Sequence, residues 1–164
     1  ENVEIVKLLL NENGIDVNVK DDELGTPLHI ACGRENGEIV KLLLGKNGID
    51  LNVKFFEREF FRADGEFYEG APLHIACARE NVEIVKLLLN ENGIDVNVKD
   101  DELGTPLHIA CGRENGEIVK LLLGKNGIDL NVKFFEREFF RADGEFYEGA
   151  PLHIACAREN VEIV

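Results

Sequence analysis

The stretch GTPLHIAC at residues 25–32 decides the fold, because it returns as GAPLHIAC at 70–77 and both stretches recur 79 residues later. Thr26 and Pro27 predict the start of a helix. Threonine is a common N-cap, and proline is tolerated at the first helical position because its missing N–H would be unpaired there. We therefore expect a short first helix that ends near Arg34, and an equivalent helix in each of the other copies.

A second helix is predicted directly after the first. Asn36 can cap it, and the apolar residues of the stretch GEIVKLLL at 37–44 give it a broad buried face. Asn47 and Gly48 are expected to end it. The alternation of apolar and polar residues over 49–54 is typical of an extended segment, so each unit is predicted to be helix, turn, helix and extended loop.

This unit resembles the ankyrin repeat. The family's motifs T-P-L-H-x-A, E-I-V-K-L-L-L and G-x-D-V-N have counterparts here at 26–31, 38–44 and 14–18. The resemblance covers everything except residues 55–69 and 134–148. It implies an all-α repeat protein, an ankyrin-type solenoid of stacked helix-turn-helix units whose loops are β-hairpins, with alternate hairpins elongated.

The resemblance also implies roles for the motif residues. In the family the motif histidine forms hydrogen bonds within and between repeats, and the equivalent structural positions here are Thr26, Pro27, His29, His74, Thr105, Pro106, His108 and His153. His29 and Cys32 share a helix face, but a closed zinc site needs four ligands, so we expect no metal. The family usually places glycine and histidine between its helices, where this chain has Glu35 and Asn36, and this departure bears on the geometry of that turn.

The second half of the chain repeats the first without a substitution. Copy one covers 1–79, copy two covers 80–158, and a partial third copy covers 159–164. We expect a single solenoid domain over 1–164 that is open at both ends, since the sequence starts with a second helix and stops early in another. Covering about 500 Å² of apolar surface at each end would gain roughly 12 kcal/mol before the costs of association.

Every second unit carries a long insertion. All ten Phe and two Tyr of the chain lie in the insertion at 55–69 or in its copy at 134–148. Residue alternation and the turn pair Asp64-Gly65 predict a long β-hairpin, while the four-residue spacing of Phe56 and Phe60 leaves a helix open. A loop this aromatic usually marks a contact surface, and the alternative is a private core packed against its own repeats.

Two sets of residues are candidate contacts with a partner or with other copies. The aromatic set is Phe55, Phe56, Phe60, Phe61, Phe67, Tyr68, Phe134, Phe135, Phe139, Phe140, Phe146 and Tyr147. The second set, at the predicted tips of the shorter finger loops, is Asp21, Asp22, Glu23, Asp100, Asp101 and Glu102.

Charge and composition narrow the classes of function. The net charge of −14 and the pI near 4.7 would repel phosphate backbones and anionic lipids, so neither nucleic acid nor membrane is an expected partner. The chain has no serine, and no set of unlike catalytic groups converges in a repeated sequence, so we expect no enzyme, cofactor or small-molecule substrate. The cysteines, one per repeat, are expected to be buried thiols. This favours the cytoplasm, with an extracellular fibre left open.

The sequence therefore leaves two functional hypotheses. The first is a non-enzymatic structural protein, a stretch of a long or end-to-end stacked, fibre-like solenoid whose aromatic insertions make contacts between solenoids. The second is an ankyrin module, alone or within a larger scaffold protein, that binds a protein partner through its finger loops.

Overall fold

The computed structural model of the chain describes residues 3–21, 25–55, 70–100, 104–135 and 148–158. They belong to two compact units, Glu1–Ile94 and Asp95–Val164. The expectation of one continuous solenoid over 1–164 stays a prediction.

The first unit is built from helices of seven or eight residues. In chain order they are α1 (Val3–Leu10), α2 (Pro27–Gly33), α3 (Gly37–Leu44), α4 (Pro72–Ala78) and α5 (Val82–Leu89). Helix α2 packs on α3 and on α4, while α4 packs on α5, and α3 also contacts α1 and α5. First helices therefore form one row and second helices form another, which is the arrangement that an ankyrin-type α-solenoid requires.

The second unit repeats this construction and adds a short antiparallel pair. Its elements are α6 (Pro106–Gly112), α7 (Gly116–Leu123), β1 (Phe134–Phe135), β2 (Glu148–Gly149) and α8 (Pro151–Ala157). Helix α6 packs on both α7 and α8, and α8 contacts β2.

The helix starts are as predicted. Helix α2 begins at Pro27 directly after Thr26 and ends at Gly33, with Arg34 as its C-cap. The side chain of Asn36 accepts a hydrogen bond from the N–H of Ile39 at 3.1 Å, which pairs one of the free donors at the start of α3.

One detail of the second helix was predicted wrongly. Helix α3 ends at Leu44 with Gly45 as its C-cap, three residues before Asn47. Residues 49–54 form neither a helix nor a paired strand, and at a bend centred on Leu51 the side chain of Asp50 accepts the N–H of Asn52 at 2.9 Å.

The departure between the helices is accommodated by unusual backbone geometry. Glu35 has a φ of 55°, and its equivalents Glu80 and Glu114 have 56° and 59°. This left-handed region normally favours glycine because a Cβ atom is crowded there. The same turn is therefore made with glutamate at some cost in strain, and Asn36 supplies the cap that follows it.

The thiols are free, and three of the four are buried. Burial raises the pKa of Cys32 and Cys77 well above the usual range, and raises that of Cys111 to about 11. Cys156, in α8, is exposed and so differs from the expected buried thiol.

Candidate interaction surface

Each insertion leaves the repeat body through an antiparallel stem. In the first unit, Phe55 and Gly70 exchange two backbone hydrogen bonds, of 3.0 and 2.8 Å. In the second unit, Phe134 pairs with Gly149 and the backbone of Phe135 pairs with that of Glu148. The two ends of each insertion are therefore paired in antiparallel fashion at its base, and whether the insertion is a hairpin stays a prediction. Residues 56–69 and 136–147 themselves lie outside the described residues.

A motif histidine holds the stem of the first insertion. The Nε2 atom of His29 lies 2.9 Å from the carbonyl oxygen of Val53 and 3.1 Å from that of Gly70, one on each side of the insertion. Its ring also meets Phe55 edge to face, with 6.2 Å between the ring centroids. A side chain on α2 therefore ties both ends of the insertion to the repeat before it.

The contacts of the other ring nitrogen fix the tautomer of His29. Its Nδ1 atom lies 3.2 Å from the backbone nitrogen of Thr26. A backbone N–H can only donate, so Nδ1 must accept and the ring proton must be on Nε2. That proton is then shared between the two carbonyl oxygens, and the Thr26 hydroxyl, 2.7 Å from Nδ1, can donate to the same nitrogen.

Protonation of His29 would break this arrangement. The His29 side chain is fully buried, and burial lowers its pKa to about 4, although the backbone acceptors Gly70 and Val53 favour the charged form. A second proton would also turn Nδ1 into a donor that faces the N–H of Thr26. The contact of His29 with Val53 and Gly70, called the histidine clamp below, therefore requires the neutral ring.

The second unit repeats the clamp in its main features. Nε2 of His108 lies 3.2 Å from the carbonyl oxygen of Gly149, and the ring lies 5.8 Å from that of Phe134. Burial lowers the pKa of His108 as well. Thr105 provides the same pair of contacts to Nδ1, at 3.1 Å from its nitrogen and 2.8 Å from its hydroxyl.

A glycine supports each clamp. Gly25 has a φ of +74°, and a Cβ atom placed on it would lie 3.0 Å from Cγ of Phe55 and 3.1 Å from Cγ of His29. Gly104 stands in the same relation to Phe134 and His108. No local sequence signal identifies these glycines as supports of the insertion, because the contact joins residues about thirty positions apart.

The remaining motif histidines also bind the backbone N–H at the start of their own helix. Nδ1 of His74 accepts the N–H of Ala71 at 3.0 Å, and Nδ1 of His153 accepts that of Ala150 at 3.2 Å. Alanine has no hydroxyl, so the second contact made by the two threonines has no counterpart here. His74 is buried, whereas His153 is exposed.

Two of the aromatic residues expected at a contact surface are instead part of the body. Phe55 and Phe134 are only 7% and 6% exposed, because each ring is enclosed by its histidine and glycine. For these two residues the expectation is corrected: they anchor the insertion. The side chain of Phe135 and the remaining nine aromatic residues lie outside what the structure describes.

The finger-tip expectation is also corrected for the two residues that can be placed. Asp21 pairs with Gly25, and Asp100 pairs with Gly104, in antiparallel bridges. Both aspartates therefore close the base of a finger and do not stand at its tip. Asp21 is exposed, but Asp100 is only 1% exposed. Residues 22–24 and 101–103 lie outside the described residues.

Two further candidate surfaces lie on α1 and α8, the first and the last helices that the structure describes. In α1, Ile5, Leu8 and Leu9 are exposed, and in α8 Leu152 is 57% exposed. Loop residues Ile15, Val19 and Leu130 are exposed too, although the sequence pointed to helix faces alone. Their copies, 79 positions away, are identical in sequence, so only the structure identifies the exposed ones.

These surfaces bear on the class of function. Among the described residues, none of the helices has the length and apolarity to cross a bilayer. Within the same residues no three side chains of His, Cys, Asp or Glu are grouped to hold a metal ion. The described residues form a repeat protein with exposed apolar side chains on α1 and α8.

Comparison with protein families identifies the repeat. A family model described as ankyrin repeats (3 copies) matches residues 1–55 and 60–134. The chain belongs to the ankyrin repeat family, whose members act as protein–protein interaction modules and are generally not enzymes. A comparison with curated proteins finds no match.

Proposed function

We propose that this ankyrin-repeat protein is a non-enzymatic structural protein whose main partner is itself. Copies join end to end through their exposed helix faces to build a fibre-like solenoid, and the aromatic insertions make contacts between neighbouring solenoids. Nucleic acid, membranes and small-molecule substrates have no part in this function.

The observation that carries the proposal is the exposure of apolar side chains on α1 and α8. Ile5 is 49% exposed, whereas Ile84, the same residue in the next copy, is fully buried. A row of large apolar side chains in water is unfavourable, at about 25 cal/mol for each Å². Covering it with protein would stabilise an assembly, provided that the gain exceeds the cost of association.

The insertion stems support the lateral contact. The stem holds Phe55 beside Gly70, so the two ends of the insertion leave the body together. The histidine clamp then fixes this base to the preceding repeat. A loop anchored at both ends loses less entropy on binding than a free one, which favours the insertions as contact elements.

Sedimentation velocity over a hundredfold range of concentration tests the self-association. We expect the average mass to rise with concentration at constant helical content. A mass that stays at one chain throughout the range would contradict the proposal.

The lateral contact is tested by electron microscopy of the assembled protein. Replacing Phe56, Phe60 and Phe67 by Ser, together with their copies Phe135, Phe139 and Phe146, should leave single solenoids of unchanged length and remove side-by-side association. The control is Glu12→Lys, an exposed change outside both insertions, which should associate laterally like the wild type. Equal lateral association of the sixfold variant and the wild type would contradict the role of the insertions.

A second candidate function, binding of another protein through the finger loops, is favoured by the antiparallel closure of the short fingers at Asp21 and Asp100. Under this alternative the purified chain stays monomeric, and association appears only when the partner is added.

A further inference from the structure

The exposed large apolar residues are confined to two stretches of the described chain. They lie within 5–19 and 123–152, and they are Ile5, Leu8, Leu9, Ile15, Val19, Leu123, Leu130 and Leu152. The copy of each residue, 79 positions away, is buried or partly buried. The same sequence therefore has a packing partner in one place and lacks it in the other.

The first unit contains the arrangement that would cover these residues. There α4 packs on α5, and Leu73 of α4 and both Ile84 and Leu88 of α5 are fully buried. Helix α8 has the same sequence as α4, PLHIACA, and α1 has the same sequence as α5, VEIVKLLL. The two exposed helices are thus the two halves of a pair that the chain already forms internally.

Resting on the proposed end-to-end association, we propose that α8 of one copy and α1 of a second copy complete one ankyrin repeat between them. The register is the one in which α4 and α5 pack inside the first unit. Leu152 then takes the place of Leu73, and Ile5 and Leu9 of the second copy take the places of Ile84 and Leu88. The partner for this surface is a second copy of this chain.

Polar contacts of the first unit define the same register. The Nζ atom of Lys41 lies 3.2 Å from Oε1 of Glu83, and a shift of 79 residues gives a pair between Lys120 and Glu4 of the second copy. Such exposed pairs contribute little stability, but they select orientation.

A hydrogen bond from a side chain to the backbone has an expected counterpart at the same shift of 79 residues. The side-chain amide of Asn52 donates to the carbonyl oxygen of Gly93 at 2.8 Å. The equivalent donor is Asn131, whose acceptor would be the carbonyl of Gly14 in the second copy. This hydrogen bond belongs to a series, since Asn18 donates to Gly48 and Asn97 to Gly127, each at 2.7 Å.

The chain also carries a segment that competes for this contact between α8 and α1, which is called the joint below. Residues 159–164, ENVEIV, are identical to residues 1–6, so in this register they compete with the second copy for the same place on α8. Docking of the second copy therefore requires that these six residues give way. A charge placed in this segment should strengthen the association, because it makes the segment a poorer competitor for an apolar surface.

Complementary blocking of the two faces tests the joint. Ile5→Asp blocks the face of α1, and Leu152→Asp blocks that of α8; both side chains are about half exposed, so both variants should keep their helical content. In sedimentation velocity each variant alone should stay monomeric, and an equimolar mixture should form dimers and nothing larger, because only one competent joint is left. Glu12→Lys is the control for an altered charge at an exposed site, and should associate like the wild type.

The register is tested by exchanging charges. Lys120→Glu or Glu4→Lys alone should weaken association a few-fold at low salt, and the double variant should recover it. Ile163→Asp, in the full chain, places a charge at the competitor's equivalent of Ile84 and should strengthen association at least several-fold.

The outcomes separate the joint from the function on which it rests. If wild type and Ile163→Asp are both monomeric at every concentration, the joint and the proposed self-association both fail. If the wild type associates but Ile5→Asp and Leu152→Asp associate equally well, self-association stands and the joint is overturned. If one variant loses helical content, the other face and the charge exchange still decide the matter.

Discussion

Helices α1 and α5 have the same eight residues, VEIVKLLL, yet they have different environments. In α5, Ile84 and Leu88 have no exposed surface, whereas in α1 their copies Ile5 and Leu9 are about half exposed. Helix α5 packs on α3 and on α4, while the main contact of α1 is with α3. The difference shows that identical local sequence yields an identical helix but not an identical contribution to the core.

The largest expected effect comes from truncating one leucine in each of these helices. Leu88→Ala should lower the free energy of unfolding by about 3 kcal/mol, because it removes a fully buried side chain and leaves a cavity. Leu9→Ala should change it by less than about 0.5 kcal/mol, since the side chain is half exposed. Urea unfolding at a dilution at which the chain is monomeric measures both, and equal losses would break the comparison.

The clamp histidine should give stability a pH dependence that an exposed histidine does not. The pKa of His29 is lowered from 6.5 to about 4, so the unfolded chain binds the proton more readily in this range. The contribution of neutral His29 is full above pH 6.5 and is lost as the pH falls towards 4. At pH 5 the loss amounts to about 2 kcal/mol relative to pH 7.

Urea unfolding of wild type and His29→Gln from pH 7 to pH 5 measures this contribution. The variant should be less stable at pH 7 and should lose less stability on acidification. Leu9→Ala is the control, because it changes no titrating group and leaves the clamp in place, and its pH profile should follow that of the wild type. A His29→Gln profile parallel to the wild-type one would contradict the role of the buried neutral ring.

Gly25 and Gly14 can be compared because both have a positive φ, of +74° and +87°. Gly25→Ala should cost about 2 kcal/mol, since a positive φ is combined with contacts of 3.0 and 3.1 Å to Phe55 and His29, which are tighter than a Cβ atom ordinarily makes. A Cβ atom added at Gly14 would meet no atom within 4 Å. Gly14→Ala should therefore cost only about 1 kcal/mol of backbone strain. Thermal unfolding of both variants decides whether the clamp adds to the strain, and equal losses would mean that it does not.

The smallest effect concerns a feature that every copy shares. Glu114→Gly should raise the free energy of unfolding by a few tenths of a kcal/mol, because relief of the left-handed strain slightly exceeds the added chain entropy. Glu35→Gly relieves the same strain but should gain less, because the Glu35 side chain also accepts a hydrogen bond from Asn81 at 3.1 Å. Chemical denaturation measures the gain, and a loss in both variants would show that the glutamate side chains contribute more than the strain costs.

Much of the repeat could be predicted from the sequence, because the residues that start and cap its helices act locally. The start of α2 after Thr26 and the cap at Asn36 depend on residues three positions apart, and both are as predicted. The end of α3 was misplaced because Gly45 ends the helix before Asn47 is reached. The ankyrin family followed from the motifs, and the family comparison confirms it.

Less of the contact surface could be predicted from the sequence, since that surface depends on contacts between residues far apart in the chain. The aromatic content of the insertions could be read directly, but the enclosure of Phe55 by His29 and Gly25 could not. The same limit applies to Asp100, which was expected at a finger tip and is buried at its base.

The sequence by itself determined the repeat, its helix starts and its family, because caps, turns and apolar periodicity act over a few residues. Only the tertiary structure decided which copy of each residue is covered, since burial depends on what packs against a helix and identical segments of one chain meet different neighbours. For this protein that difference separates a buried Ile84 from an exposed Ile5, and so separates the core from the surface that we propose for assembly.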